Sequence, residues 1–190
     1  MNLGLKKDEV KIVPFDYEWK NEFNRVKKQI QSHVGMDEER IEHIGSTAIV
    51  GMPAKPIIDI LLGVEDLTVM TSDVSRSLKK IGFYRLRVHR PDEVVFAKFK
   101  DETFKIKTHI IHVVTYKQEL WNNLLFFRDD LNANEHERQA YLKIKQAYAK
   151  EKTTGIKEYT DFKEEFVRRI FAKRTHSSNE LLVDANIDEM

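Results

Sequence analysis

The sequence predicts an α+β fold: a small mixed sheet with one helix ahead of it and a helical part behind it. Three observations carry that prediction. An amphipathic helix pattern opens the chain, short apolar and β-branched runs fill its middle, and three helical patterns follow from residue 117 onward.

The first helix is read over residues 15–34, where Trp19, Phe23, Val26, Ile30 and Val34 recur at helical spacing. Asp16, after Pro14, is the expected N-cap, and Gly35 is the expected stop. A short strand at 40–44 ends in the Gly45-Ser46 turn, and residues 47–54, with Gly51 and Pro53, read as loop. Residues 56–62 are almost continuously apolar, the pattern of a central strand buried on both faces. A second helix over 71–81 closes at Gly82. Strands at 83–88 and 94–99 flank a turn at His89-Arg90-Pro91-Asp92, and residues 108–115 form a further β-branched strand. Helices are expected at 117–132, 134–150 and 157–173, and residues 174–190 read as a poorly ordered tail. The sheet part thus covers residues 12–115 and the helical part 117–173, within one domain over 1–173.

With 190 residues, 41% of them hydrophobic, the chain is long enough for one substantial core. Its formal net charge of +1 lacks the basic excess with which proteins bind duplex nucleic acid, so none is expected as a partner. The absence of cysteine excludes disulfides and thiolate chemistry and fits a reducing compartment. The first residues lack the apolar core of a signal peptide, and no stretch approaches a membrane span, so a soluble cytoplasmic protein is expected.

Asp59 interrupts the apolar run 56–62. A lone carboxylate there is costly unless a cation, a metal or several donors pair with it. The preceding Gly45-Ser46 turn offers close backbone approach and a hydroxyl to a phosphate oxygen. A nearby carboxylate suits Mg²⁺ that bridges phosphates, and Lys55, at the mouth of the strand, adds positive charge. The plain alternative is an ordinary turn and a structural Asp59–Lys55 ion pair. Each later helix carries a cation on or beside its apolar stripe. Arg128 falls among Leu124, Leu125 and Leu131, Lys145 borders Tyr141, Ile144 and Tyr148, and Lys163 sits among Tyr159, Phe162 and Phe166. One such intrusion is an ordinary snorkelling side chain. Three on consecutive helices point to a polar cleft whose cations face an anionic ligand. His109 and His112, three apart on a strand, point to opposite faces and make a poor metal pair. His112 reads either as an acid/base or supporting residue of the site or as a satisfied core histidine, and His43, before the turn, has the same two readings.

Four segments together resemble the GrpB family: Glu42-His43-Ile44-Gly45-Ser46-Thr47, Ala54-Lys55-Pro56-Ile57-Ile58-Asp59-Ile60, His112-Val113-Val114 and Leu125-Phe126-Phe127-Arg128-Asp129-Asp130-Leu131. The Tyr141…Lys145 and Tyr159…Lys163…Phe166-Val167 segments fit its C-terminal pattern, and the resemblance covers residues 12–172. That family looks like a branch of the nucleotidyltransferase superfamily with the DNA polymerase beta-like fold. The resemblance implies phosphate binding by Gly45 and Ser46 and a metal-ligand role for Asp59. A small-molecule nucleotide or phosphorylated metabolite is the implied partner, with a nucleoside triphosphate and Mg²⁺ at the site. Lys55, Arg128, Lys145 and Lys163 would contact phosphates, Asp59 and His112 would be the catalytic pair, and Glu42, His43 and Asp129 would support them. The sequence departs from the superfamily at Leu61, which stands where the second carboxylate belongs, and the later strand offers His112 in place of an acid. Two readings follow: Mg²⁺-dependent nucleotidyl transfer to a small acceptor, or a non-catalytic nucleotide or phosphometabolite binding module of the same fold.

Overall fold

Residues 1–6, 9, 11–67, 72–88, 90–150 and 163–175 are described by the computed structural model, with side chains of 148–150 excepted. The chain divides into two compact units, Met1–Leu124 and Leu125–Met190.

The first unit holds the sheet. Its strands are β1 (Leu5–Lys6), β2 (Ile41–Ile44), β3 (Ile58–Val64), β4 (Phe83–Arg85), β5 (Val94–Phe99) and β6 (Ile106–Thr115). Their order is β2-β3-β6-β5-β4, with β1 paired to the first residues of β6. The β3–β6 pair is parallel and the other ladders are antiparallel, which makes the sheet mixed.

Helix α1 (Glu18–Val34) buries Trp19, Phe23, Val26 and Ile30. The N-cap is Tyr17, one residue after the expected Asp16, whose Oδ1 still accepts the Glu18 N–H at 2.9 Å, and Gly35 closes the helix at φ 72°. Together with α2 (Ser72–Lys80), which buries Leu78, this helix covers one face of the sheet. Ile58, Ile60, Leu62 and Val64 of β3 join Ile111 and Val113 of β6 in the core beneath them. The β3 strand starts two residues later than the apolar run, because Pro56 has no N–H to give a ladder and Ile57 turns back onto the Lys55 carbonyl at 2.8 Å.

The second unit takes in the later part of α3 (Glu119–Ala133), then α4 (Glu135–Lys150) and α5, residues 163–175. Its core is aromatic: Tyr141 stacks on Phe166 with centroids 5.3 Å apart, and Phe127 meets Tyr141 edge-on at 5.4 Å. Glu137 is buried there against Arg169, at 2.8 and 2.5 Å, and Lys173. The Arg169 hydrogen bonds outweigh burial and hold the Glu137 carboxyl down at about 2. The expected residues Tyr159 and Phe162, and the tail from 176 on, lie outside the described residues. Among the described residues no helix is long and apolar enough to cross a membrane.

Candidate functional site

Alternation along β3 sends Asp59 and Leu61 to the face opposite the helix-covered core. In the ladders Asp59 lies between Ile44 and Ile110, and Leu61 between Glu42 and His112. Asp59, Glu42 and His112 therefore share one face, with His112 one rung along from Asp59.

The partner that the structure gives Asp59 is His112, whose Nε2 stands 3.7 Å from Asp59 Oδ1. The other ring nitrogen, Nδ1, is 2.8 Å from Oε2 of Glu93. Glu93 sits just ahead of β5, is buried, and pairs in turn with Arg90 across a tight backbone bridge. Burial pushes the His112 ring toward neutrality, but its pairing with Asp59 and Glu93 more than offsets that and raises its pKa to about 9. For Glu93 burial acts upward, and the bonds from His112 and Arg90 bring it below the usual carboxylate range.

The glycine turn is seated on this carboxylate. Gly45 has φ 71°, and a Cβ placed on it would lie 3.0 Å from both Cβ and Cγ of Asp59. Only glycine allows both the backbone angle and the approach. Ser46, partly exposed, opens the short helical turn Ser46–Ala48. His43 props that turn from the core side: its ring stacks on Phe23 at 4.8 Å, and Nε2 lies 3.0 Å from the Thr47 hydroxyl. Lys55 is exposed at the entrance of β3.

Leu61 is fully buried, so no carboxylate stands two residues beyond Asp59. Two-metal chemistry needs several oxygen donors around ions about 4 Å apart. Here an imidazole separates the two carboxylates, and a ring nitrogen is a poor Mg²⁺ ligand. Among the described residues no group of three His, Asp or Glu side chains is arranged to hold a metal. The donor set does not fit the two-metal site.

In the second unit Arg128 chelates its neighbour Asp129 at 2.7 and 3.1 Å. Lys145 is buried, with its ammonium 5.4 Å from the centre of the Tyr141 ring. Lys163 corrects the sequence expectation of a cation on a buried stripe: it is exposed, whereas Phe166 and Ile170 of α5 are buried. A cleft of about 510 Å³ opens beyond the far ends of β3 and β6. Asp66, Asp92 and Glu119 line it, the wrong sign for phosphate, so it is not the candidate site.

Glu93 is the residue that sequence reading missed. The later strand offers no acid of its own, yet the neighbouring strand delivers one, because Val95 lies opposite His112 and Glu93 is in phase with Val95. Only the β5–β6 register reveals it.

A mixed sheet with a glycine turn packed on a strand aspartate is the architecture of nucleotidyltransferase-fold proteins. Cid1 poly(U) polymerase, solved bound to MgATP, superposes with a TM-score of 0.50 at 13% identity, over 76% of this chain and 46% of that one. More narrowly, the chain belongs to the GrpB family, whose model, described as GrpB protein, matches residues 9–173. It is 41% identical over 169 residues to the glutamate-rich protein GrpB of Alkalihalophilus pseudofirmus, covering 88% of this chain and 97% of that protein. The crystal structure of conserved protein GrpB from Enterococcus faecalis aligns with a TM-score of 0.70 at 21% identity, over 86% of this chain and 99% of that one. At 13% and 21% identity the structural likeness is one of fold.

Proposed function

We propose that the protein is a binding module for a nucleotide or phosphorylated metabolite, with the phosphates at the Gly45-Ser46 turn. The observation that carries this reading is the seating of Gly45 on Asp59, a close approach that no other residue permits. The nucleotidyltransferase-like fold supports it, since a protein of that fold, Cid1, takes MgATP. The buried Leu61 and the imidazole between Asp59 and Glu93 favour binding over two-metal transfer. Ser46 and Lys55 are the proposed phosphate contacts of the first unit. Arg128, Lys145 and Lys163 are proposed as anion contacts of the second, with Asp129 orienting Arg128. Glu42 and His43 support the turn and its strand.

Calorimetric titration with ATP, ADP and inorganic pyrophosphate tests the reading. At least one is expected to bind, and Lys55→Ala is expected to weaken it about tenfold, the usual worth of a charge-assisted contact. No binding of any of them at millimolar concentration contradicts it. Pyrophosphate release from ATP with Mg²⁺ would restore nucleotidyl transfer, the reading with Asp59 as metal ligand and His112 as base.

A further inference from the structure

Around Asp59, negative charge and positive charge are matched by side chains. Asp59 and Glu93 contribute two carboxylates; His112 lies between them, and Arg90 closes the outer end. The side chain of Glu93 is only 5% exposed, those of His112 and Asp59 21% and 28%. A buried carboxylate is tolerable only with its charge compensated. Nδ1 of His112 lies 2.8 Å from a Glu93 oxygen and Nε2 lies 3.7 Å from an Asp59 oxygen, so the ring stands between two acids at hydrogen-bond and ion-pair distance, a setting that favours its charged form. In a metal-dependent phosphate site the carboxylates are neutralised by ions that also bridge to the phosphate. Here that place between the acids is filled by an imidazole ring.

We propose that His112 is the resident cation of the pocket, and that phosphate is taken up next to Asp59 without a divalent metal ion. The proposal rests on the phosphate-binding reading for its ligand, and on the Asp59–His112–Glu93–Arg90 chain for its mechanism. With two negative and two positive groups the chain is neutral as a whole. An incoming phosphate therefore meets a compensated Asp59 and the backbone of the Gly45 turn, and no metal is needed to cancel the carboxylates. Glu93 and Arg90 act as positioning residues: they fix the ring through Nδ1 and leave its Nε2 edge toward Asp59.

Two measurements test this on the full chain. Mn²⁺, a stand-in for Mg²⁺, is titrated into the nucleotide-free protein and followed by electron paramagnetic resonance. The wild type is expected to leave Mn²⁺ free at submillimolar concentration. His112→Gln, which releases both acids, is expected to bind it at least about tenfold more tightly, and Asp59→Asn in the same chain is expected to abolish that gain. A tight Mn²⁺ site in the wild type that disappears in Asp59→Asn overturns the proposal. So does a folded His112→Gln protein that gains no affinity for Mn²⁺. Should that variant not fold, the wild-type titration decides. The second measurement compares ATP binding in EDTA and in Mg²⁺. Affinities within about twofold support the proposal, and loss of binding in EDTA overturns it. ATP that binds in neither buffer refutes the nucleotide reading, while the Mn²⁺ titrations still judge the resident cation.

Discussion

His109 and His112 are three residues apart on β6 and occupy opposite faces of the sheet. His109 lies on the side covered by α1, with Nε2 3.0 Å from Oε1 of Glu22, Nδ1 2.9 Å from the Thr108 hydroxyl and its ring edge-on to Phe83. Burial dominates there, and Lys98 and Arg25 add repulsion that Glu22 does not cancel, so its pKa falls to about 4. His112, on the other face, lies between two carboxylates and rises to about 9. Both rings are largely enclosed, so enclosure does not decide the charge. The difference is in the number of carboxylates: His109 faces one, Glu22, which it shares with Arg25 at 2.6 Å, whereas His112 faces two, Asp59 and Glu93, the second of which also binds Arg90. Burial thus holds His109 toward its neutral form, and two flanking carboxylates hold His112 toward its charged form.

The largest effect is expected from breaking the covered face. Trp19→Ala removes a side chain that is 1% exposed and should cost about 3–5 kcal/mol in urea unfolding. Next comes pH, which acts on both faces with opposite signs of proton uptake. Between pH 6.5 and about 9 the folded chain keeps the His112 proton that the unfolded chain has lost, so stability falls as pH rises. Between pH 6.5 and about 4 the unfolded chain binds a proton at His109 that the folded chain refuses, so stability falls as pH drops. Each limb is worth about 3 kcal/mol, and a series of urea midpoints from pH 4 to 9 should peak near 6.5. His112→Gln should remove the alkaline limb and leave the acid one. A smaller loss, about 1–3 kcal/mol, is expected for Gly45→Ala, where the new methyl group meets Asp59 at a positive φ. That variant should also weaken phosphate binding, because Asp59 must move. Lys55→Ala, on the surface, should change stability by less than about 0.5 kcal/mol.

Legibility from sequence followed the same division. The covered face is written in periodicity: the Trp19-Phe23-Val26-Ile30 stripe and the Gly35 stop stand where the pattern puts them, and the N-cap falls one residue past the expected Asp16. Gly45 and Asp59 were legible as a pair because each breaks a local rule, one by permitting a tight turn and the other by interrupting an apolar run. Their mutual contact depends on the β2–β3 register, which sets Ile44 opposite Asp59. Glu93 was not legible, since an acid in a turn is ordinary until strand pairing brings it to His112. Nor was β1, because two residues are too few to show a period. Lys163 misled the reading because a stripe drawn from sequence does not show which of its members is buried: Lys163 is exposed while Phe166 and Ile170 are not.

The contrast between the two faces is measured most directly by a nuclear magnetic resonance titration of the histidine ring nitrogens in the intact protein. The account predicts one ring that holds both protons up to about pH 9 and one that stays neutral down to about pH 4, assigned to His112 and His109 by the loss of each signal in His112→Gln and His109→Gln. If the signal lost in His112→Gln titrates near 6.5 or below, the ring is not a fixed cation and the central claim fails.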